Sequence, residues 1–269
     1  MIPLFIIFIS TLFLYISTLS NTVYGGDAGD LVSAILAKGF PHPPGYPLYT
    51  LIGRLFIHLP FNFFLTAAGK VTLISSISTV FSLILVYLIL DTLLGKKINR
   101  AIAVVTVLIL SVNYLIWLYA IVPEVFPLNV LITLGILLAG LKFKNTAKLK
   151  WLALSLFLIG LGISHHHTFI LILPSFFILT YNQIKKAAFS ITKIFFLTFS
   201  LLIGLLPLTY LPIVSFNDPE IIWGQANTLS GFIALLTRQA YGSFVPGPFI
   251  SNLPVHRFIQ LINLNYFVY

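Results

Sequence analysis

Cysteine is absent from the chain, so disulfide bridges and thiolate metal sites are excluded at the outset. Charge is nearly as scarce. Only 8% of residues are Asp, Glu, Lys or Arg, where a soluble domain carries about 25%. Six side chains in 269 are acidic. Hydrophobic residues make up 59% of the sequence, and uncharged runs of membrane length recur along it. A bilayer core about 30 Å thick takes roughly 20 helical residues, and helices are the open-chain way to satisfy backbone polar groups in lipid. The composition specifies an all-α, multi-pass integral membrane protein.

Seven apolar segments can be drawn, at 2–20, 71–90, 101–118, 125–141, 151–164, 168–181 and 194–214. The first lacks a basic leader and a small-residue cleavage site, so it is expected to be a retained helix. Ten of the fifteen Lys and Arg fall in three short loops: Lys96, Lys97 and Arg100; Lys142, Lys144, Lys148 and Lys150; Lys185, Lys186 and Lys193. Basic loops face the cytoplasm. The net charge of +9 is thus a topology signal, and a nucleic-acid partner is not expected. The remaining loops, at 21–70, 120–127 and 215–269, then share the opposite, extracytoplasmic or lumenal face, with five of the six acids. Between Lys150 and Lys185 the basic loops leave room for two short helices with a seam at "SHHHT". One long tilted helix is the alternative there.

Asp27 and Asp30 lie in "NTVYGGDAGDLVSAILAKGFPHPPGYPLYTLIGRLF", just after the first apolar run. "DAGDLVSAILAKGF" predicts a short amphipathic surface helix stopped by Gly39. The "PHPPGYPLY" that follows is a stiff turn that fixes His42, Tyr46 and Tyr49. Asp27 has two readings that do not exclude each other, a helix N-cap and a functional carboxylate. Asp30, one helical turn on, can face the same cavity. A close carboxylate pair is expected to raise one pKa and supply a base near neutral pH. Mg²⁺ or Mn²⁺ held by both and Glu124 is left open.

These stretches resemble a membrane family related to the protein O-mannosyltransferases. Its pattern of Asp-x-Gly-Glu, a spacer and His-Pro-Pro-Gly-x-Pro-Leu-Tyr is matched by Asp27, Gly29, His42, Pro43, Pro44, Gly45, Pro47, Leu48 and Tyr49, with Asp30 in place of the Glu. "YAIVPEVFPLN" is similar to a second motif and supplies Glu124 and Asn129. "GLGISHHHTFILILP" looks like a third, and "IIWGQANTLSGFIALLTRQAYGSF" resembles a fourth, with Trp-Gly and then Thr-Arg-x-x-Tyr. The resemblance implies a GT-C-type glycosyltransferase module of about seven transmembrane helices over 1–214. Its long first outer loop, 21–70, would carry short amphipathic helices. Residues 215–269 would be an outer loop, shortened relative to the family.

It also implies roles. A sugar, mannose favoured, would pass from a polyprenyl-phosphate-linked donor to a protein or glycan hydroxyl, among membrane lipids, on the outer face. Asp27 would be the general base. Asp30, His42, Tyr46, Arg54, Glu124, His166, Arg238 and Tyr241 would bind substrate, with Arg54, Arg238 and Lys70 the cations for the leaving phosphate. Arg54 also reads as a snorkelling residue beside "LFIHLPFNFF". Three consecutive histidines on a helix point about 100° apart, so they are not expected to form a zinc site. The alternatives are a transporter, which would carry mid-membrane charges or inverted repeats that are not found, and a non-catalytic scaffold.

Overall fold

The structure is a computed structural model that describes residues 2–95 and 99–241. Lys96 and Lys97, and positions 242–269 with Arg257, lie outside the described residues. The chain is all-α, in twelve helices among the described residues: α1 Ile2–Ser17, α2 Ala28–Leu36, α3 Pro47–Ile57, α4 Ala67–Leu94, α5 Arg100–Ser111, α6 Tyr114–Ala120, α7 Phe126–Thr146, α8 Leu149–Ile163, α9 Leu173–Lys186, α10 Ile191–Leu205, α11 Tyr210–Phe216 and α12 Leu229–Leu236. Four stretches are long and apolar enough to cross a membrane: Ala67–Leu94, Phe126–Thr146, His167–Lys186 and Ile191–Phe216. The bent pair α5–α6 makes a fifth if it is one span. α1 and α8 are apolar but shorter, so the seven expected segments all appear as helix while seven full spans are not established.

Local chemistry sets the boundaries. The side chain of Thr66 accepts from Gly69 N and starts α4, and Pro47 sits in the first turn of α3, where its missing N–H costs nothing. The segment expected to run unbroken over 101–118 is broken. Asn113 accepts from Leu115 N and opens a new helix, so α5 and α6 meet at 67°. At "SHHHT" the chain also breaks, as the two-helix reading expects. α8 ends at Ile163, and a 3-10 turn, His167–Ile172, leads into α9. His165 and His166 lie in the link between α8 and this turn, and His167 opens it, so the three are not on one helix.

α8 packs against α10 where Gly160 and Gly204 face each other. A Cβ on either would run into the other helix's backbone. One core gathers α2, α3 and α7–α9 around Leu31, Ile35, Tyr49 and Ile136. A second joins α1, α4 and α5 around Tyr15, Val80 and Val107. The loops 142–150 and 185–193 come together at one end, where Gln183 Nε2 donates to the Lys144 carbonyl at 2.8 Å. The loop after α1, the α6–α7 turn, the histidine turn and the segment after α11 meet elsewhere, away from these lysines, and make the site.

Candidate active site

Asp27 occupies the N-cap position of α2, yet its side chain makes no capping bond. Only its backbone carbonyl serves the helix, accepting from Leu31 N at 2.9 Å. The carboxylate, 52% exposed, is left facing a cleft. Asp30 is in the opposite condition. One oxygen accepts from the Trp223 indole N–H at 2.8 Å. The other accepts from His42 twice, from its backbone N–H at 2.9 Å and its ring Nδ1 at 2.6 Å. Burial works against ionisation of Asp30, and these hydrogen bonds outweigh it, so its carboxyl titrates below the ordinary range.

The expected carboxylate pair with one raised pKa is therefore corrected. His42 stands between the two, with Nε2 3.6 Å from Asp27 Oδ2 and Nδ1 against Asp30. The raised carboxylate is Glu124. Burial lifts it to about 7 against the bond from Val125 N–H, with the Asp27 charge adding to the rise and His42 opposing it. Glu124 is held in the α6–α7 turn by Ser75 Oγ, which bonds both its backbone N–H and its carbonyl at 3.1 Å.

The His-Pro-Pro-Gly turn aims the imidazole. Gly45 N–H closes it onto the His42 carbonyl at 2.9 Å, and Gly45 takes a φ of 83° that a side chain would resist. Tyr46 follows, buried, with its hydroxyl 3.0 Å from His42 Nε2. Its ring stacks on His166 at 5.6 Å, and His166 stacks on His167 at 4.6 Å. Arg238 closes the row by donating to His167 Nε2 at 3.4 Å, with its guanidinium 5.2 Å from the Tyr241 ring. Burial, with the neighbouring histidines and Arg238, pushes His166 down to about 3, so it is a neutral ring. His165 is buried behind it and bonds the Val125 carbonyl at 2.9 Å.

Asp27, Asp30 and His42 thus form one wall of a cleft of about 300 Å³, and Trp223, Arg238 and Tyr241 the other. Tyr46, His166 and Glu124 lie behind the first wall. Two cations expected at the phosphate are elsewhere. Arg54 sits near the Tyr210 hydroxyl and does not line the cleft. Lys70 is buried, donating to the Ile57 carbonyl at 3.0 Å and to Asn62. Among the described residues no three His, Asp or Glu side chains converge on a cation position. Both Asp30 oxygens are already occupied by N–H donors, so this donor set does not fit Mg²⁺ or Mn²⁺.

Trp223 escaped sequence reasoning although its Trp-Gly motif was in view. The far segment reaches the acidic loop through Gly39, which is not the helix stop it was expected to be. α2 ends three residues earlier, with the left-handed residue at Lys38. At 39 a Cβ would overlap the Ile221 carbonyl, so only glycine lets Phe40 bridge to Ile222 and bring the indole to Asp30.

Residues 27–190 match the family described as Protein O-mannosyl-transferase TMEM260 N-terminal domain. The chain is 31% identical over 259 residues to the protein O-mannosyl-transferase tmem260 of Dictyostelium discoideum, and the alignment covers 88% of this chain and 30% of that one. It is also 31% identical over 249 residues to its counterpart from Mus musculus, with 88% and 34% covered. It thus spans about a third of the length of these curated relatives. Among solved structures, the S. cerevisiae protein O-mannosyltransferase Pmt1-Pmt2 complex bound to the sugar donor has the same fold at a TM-score of 0.56, with 14% identity over 80% of this chain and 33% of that one. The helical layout is that of the yeast membrane complex, and the chain belongs to the family of the protein O-mannosyl-transferase TMEM260 N-terminal domain.

Proposed function

We propose that this chain, at 1–214, is the catalytic membrane module of a glycosyltransferase. It moves a sugar, mannose in preference, from a polyprenyl-phosphate donor to a hydroxyl on a protein or glycan at the extracytoplasmic or lumenal face. The observation that carries the reading is Asp27, a carboxylate released from its capping duty and facing Arg238 across a cleft. In the reaction the acceptor O–H gives its proton to Asp27 as its oxygen bonds the anomeric carbon. The bond from that carbon to phosphate breaks, and the phosphate leaves with the electron pair. Arg238 meets the charge that builds there. Its Nε has no protein partner, and the residue lines the cleft.

An apolar hollow of about 210 Å³ lies between α4, the bent α5–α6 pair and α7 and is lined by Tyr119 and Phe126. The Phe126 ring is 5.6 Å from His166, which stacks on Tyr46 beside His42, and the apolar hollow suits a polyprenyl chain. The test uses the full chain in proteoliposomes with polyprenyl-phosphate mannose and a Ser/Thr-rich peptide. Labelled peptide formed by the parent and not by Asp27→Asn supports the proposal, and equal rates from both sink it.

A further inference from the structure

Asp27 must dispose of a proton, and the His42 ring lies 3.6 Å from its carboxylate. The geometry around His42 fixes which ring nitrogen can take it. An ionised carboxylate only accepts hydrogen bonds, and Asp30 is kept ionised by three donors. Nδ1, 2.6 Å from Asp30, therefore carries the ring proton. In the neutral ring Nε2 is then left with its lone pair. Nε2 lies 3.0 Å from the Tyr46 hydroxyl, which donates to that lone pair and turns away when the ring takes a second proton, and 3.6 Å from Asp27 Oδ2. The ring cannot turn to offer the other nitrogen, because a single Asp30 oxygen binds both the backbone N–H and the ring N–H of His42. Trp223 holds the second Asp30 oxygen in turn.

We propose that His42 is a proton relay for Asp27: Nε2 takes the proton that Asp27 has received from the acceptor hydroxyl, while Asp30 keeps the ring in the tautomer that leaves Nε2 open. The inference rests on the transferase reading above. The steps balance without a co-reactant. The acceptor O–H bond breaks, an O–H bond forms on Asp27, and the proton then moves to Nε2 and gives an imidazolium whose charge lies against Asp30. Asp27 is again a carboxylate, and the imidazolium returns its proton to water when product has left. The ionisable groups gathered around the ring are Asp27 and Asp30 on α2, Tyr46 beside it, Glu124 in the α6–α7 turn, His166 beyond Tyr46, and Arg238 across the cleft. Asp30 handles no transferred proton and acts by positioning His42, which receives the proton by way of Asp27.

Two measurements decide the matter. Nitrogen-15 histidine spectra of the full chain in nanodiscs, with His42 assigned by its loss in His42→Gln, should show a protonated Nδ1 and a bare Nε2. In Asp30→Ala the acceptor at Nδ1 is gone, and the ring proton should no longer be confined to Nδ1. A parent ring with its proton on Nε2 overturns the proposal. In sugar transfer, His42→Ala should lower kcat by about 10²-fold, the low end for a positioned proton acceptor, with the donor KM within about two-fold, and added imidazole should restore turnover. His42→Asn, which keeps a donor toward Asp30, should lose as much and serves if the alanine variant does not fold. Parental kcat in either variant, or a loss in His42→Ala that imidazole does not relieve, overturns the relay. A parent that transfers no sugar removes the transferase reading itself, while the spectra still report the tautomer.

Discussion

The two loop clusters use charge in opposite ways. Where the α7–α8 and α9–α10 loops meet, Lys144, Lys148, Lys150, Lys185, Lys186 and Lys193 are exposed, and none has a carboxylate within ion-pair distance among the described residues. Lys193 reaches only the Ala188 carbonyl, five residues away. In the cleft, two of the charged groups are tied to distant segments: Asp30 by Trp223 and Arg238 by His167. Charge among the lysines needs only to sit in water and orient the chain. Charge in the cleft is fixed in place, and fixed charge is what lowers a barrier without reorganisation.

The contrast can be broken or sharpened in order of effect. Asp27→Asn should cost about 10³-fold in kcat, as expected for loss of a general base, with donor binding retained in a labelled-donor assay. Arg238→Ala should cost about 10²-fold through lost stabilisation of the leaving phosphate, and the parental rate in that variant would remove Arg238 from the chemistry. Trp223→Phe keeps the ring and deletes the N–H. Losing a hydrogen bond to a charge, worth about 1.5–3 kcal/mol, should lower kcat by roughly ten-fold.

Glu124 gives a stability signature instead of a rate. Its carboxyl titrates at about 7 when folded against 4.5 when free. The folded chain thus holds a proton the unfolded chain has released, so the contribution is whole below about 4.5 and is lost as pH rises through about 7. Melting in detergent should show the parent losing ground to Glu124→Gln between about pH 5 and pH 8, and parallel curves would contradict the burial. Lys186→Ser with Lys193→Ser should leave transfer within about two-fold, since surface charges away from special features shift little. A larger loss would erase the difference between the two clusters.

Local features of the sequence were legible because local forces make them. The His-Pro-Pro-Gly turn follows from fixed proline φ angles, α2 from its apolar spacing, and the seam at His165–His167 from the distance between basic loops. Asn113 was readable as a cap and went unread because the surrounding apolar run suggested one helix. Arg54 has the same flanking chemistry whether it faces phosphate or Tyr210, so only packing decides. Gly39 carries two sequence meanings, a helix stop and a backbone crossing, and the second depends on Ile221. Asp27 and Asp30 look alike in sequence, and Trp223, 193 positions away from Asp30, makes them different.

That separation also sets when the cleft can come into being. Synthesis delivers Asp27 and His42 early, and the indole and Arg238 only after nearly two hundred further residues have left the ribosome. A nascent chain halted short of Trp223 would own every helix up to α11 and still lack the far wall. The cleft is thus completed late in synthesis, through the crossing at Gly39.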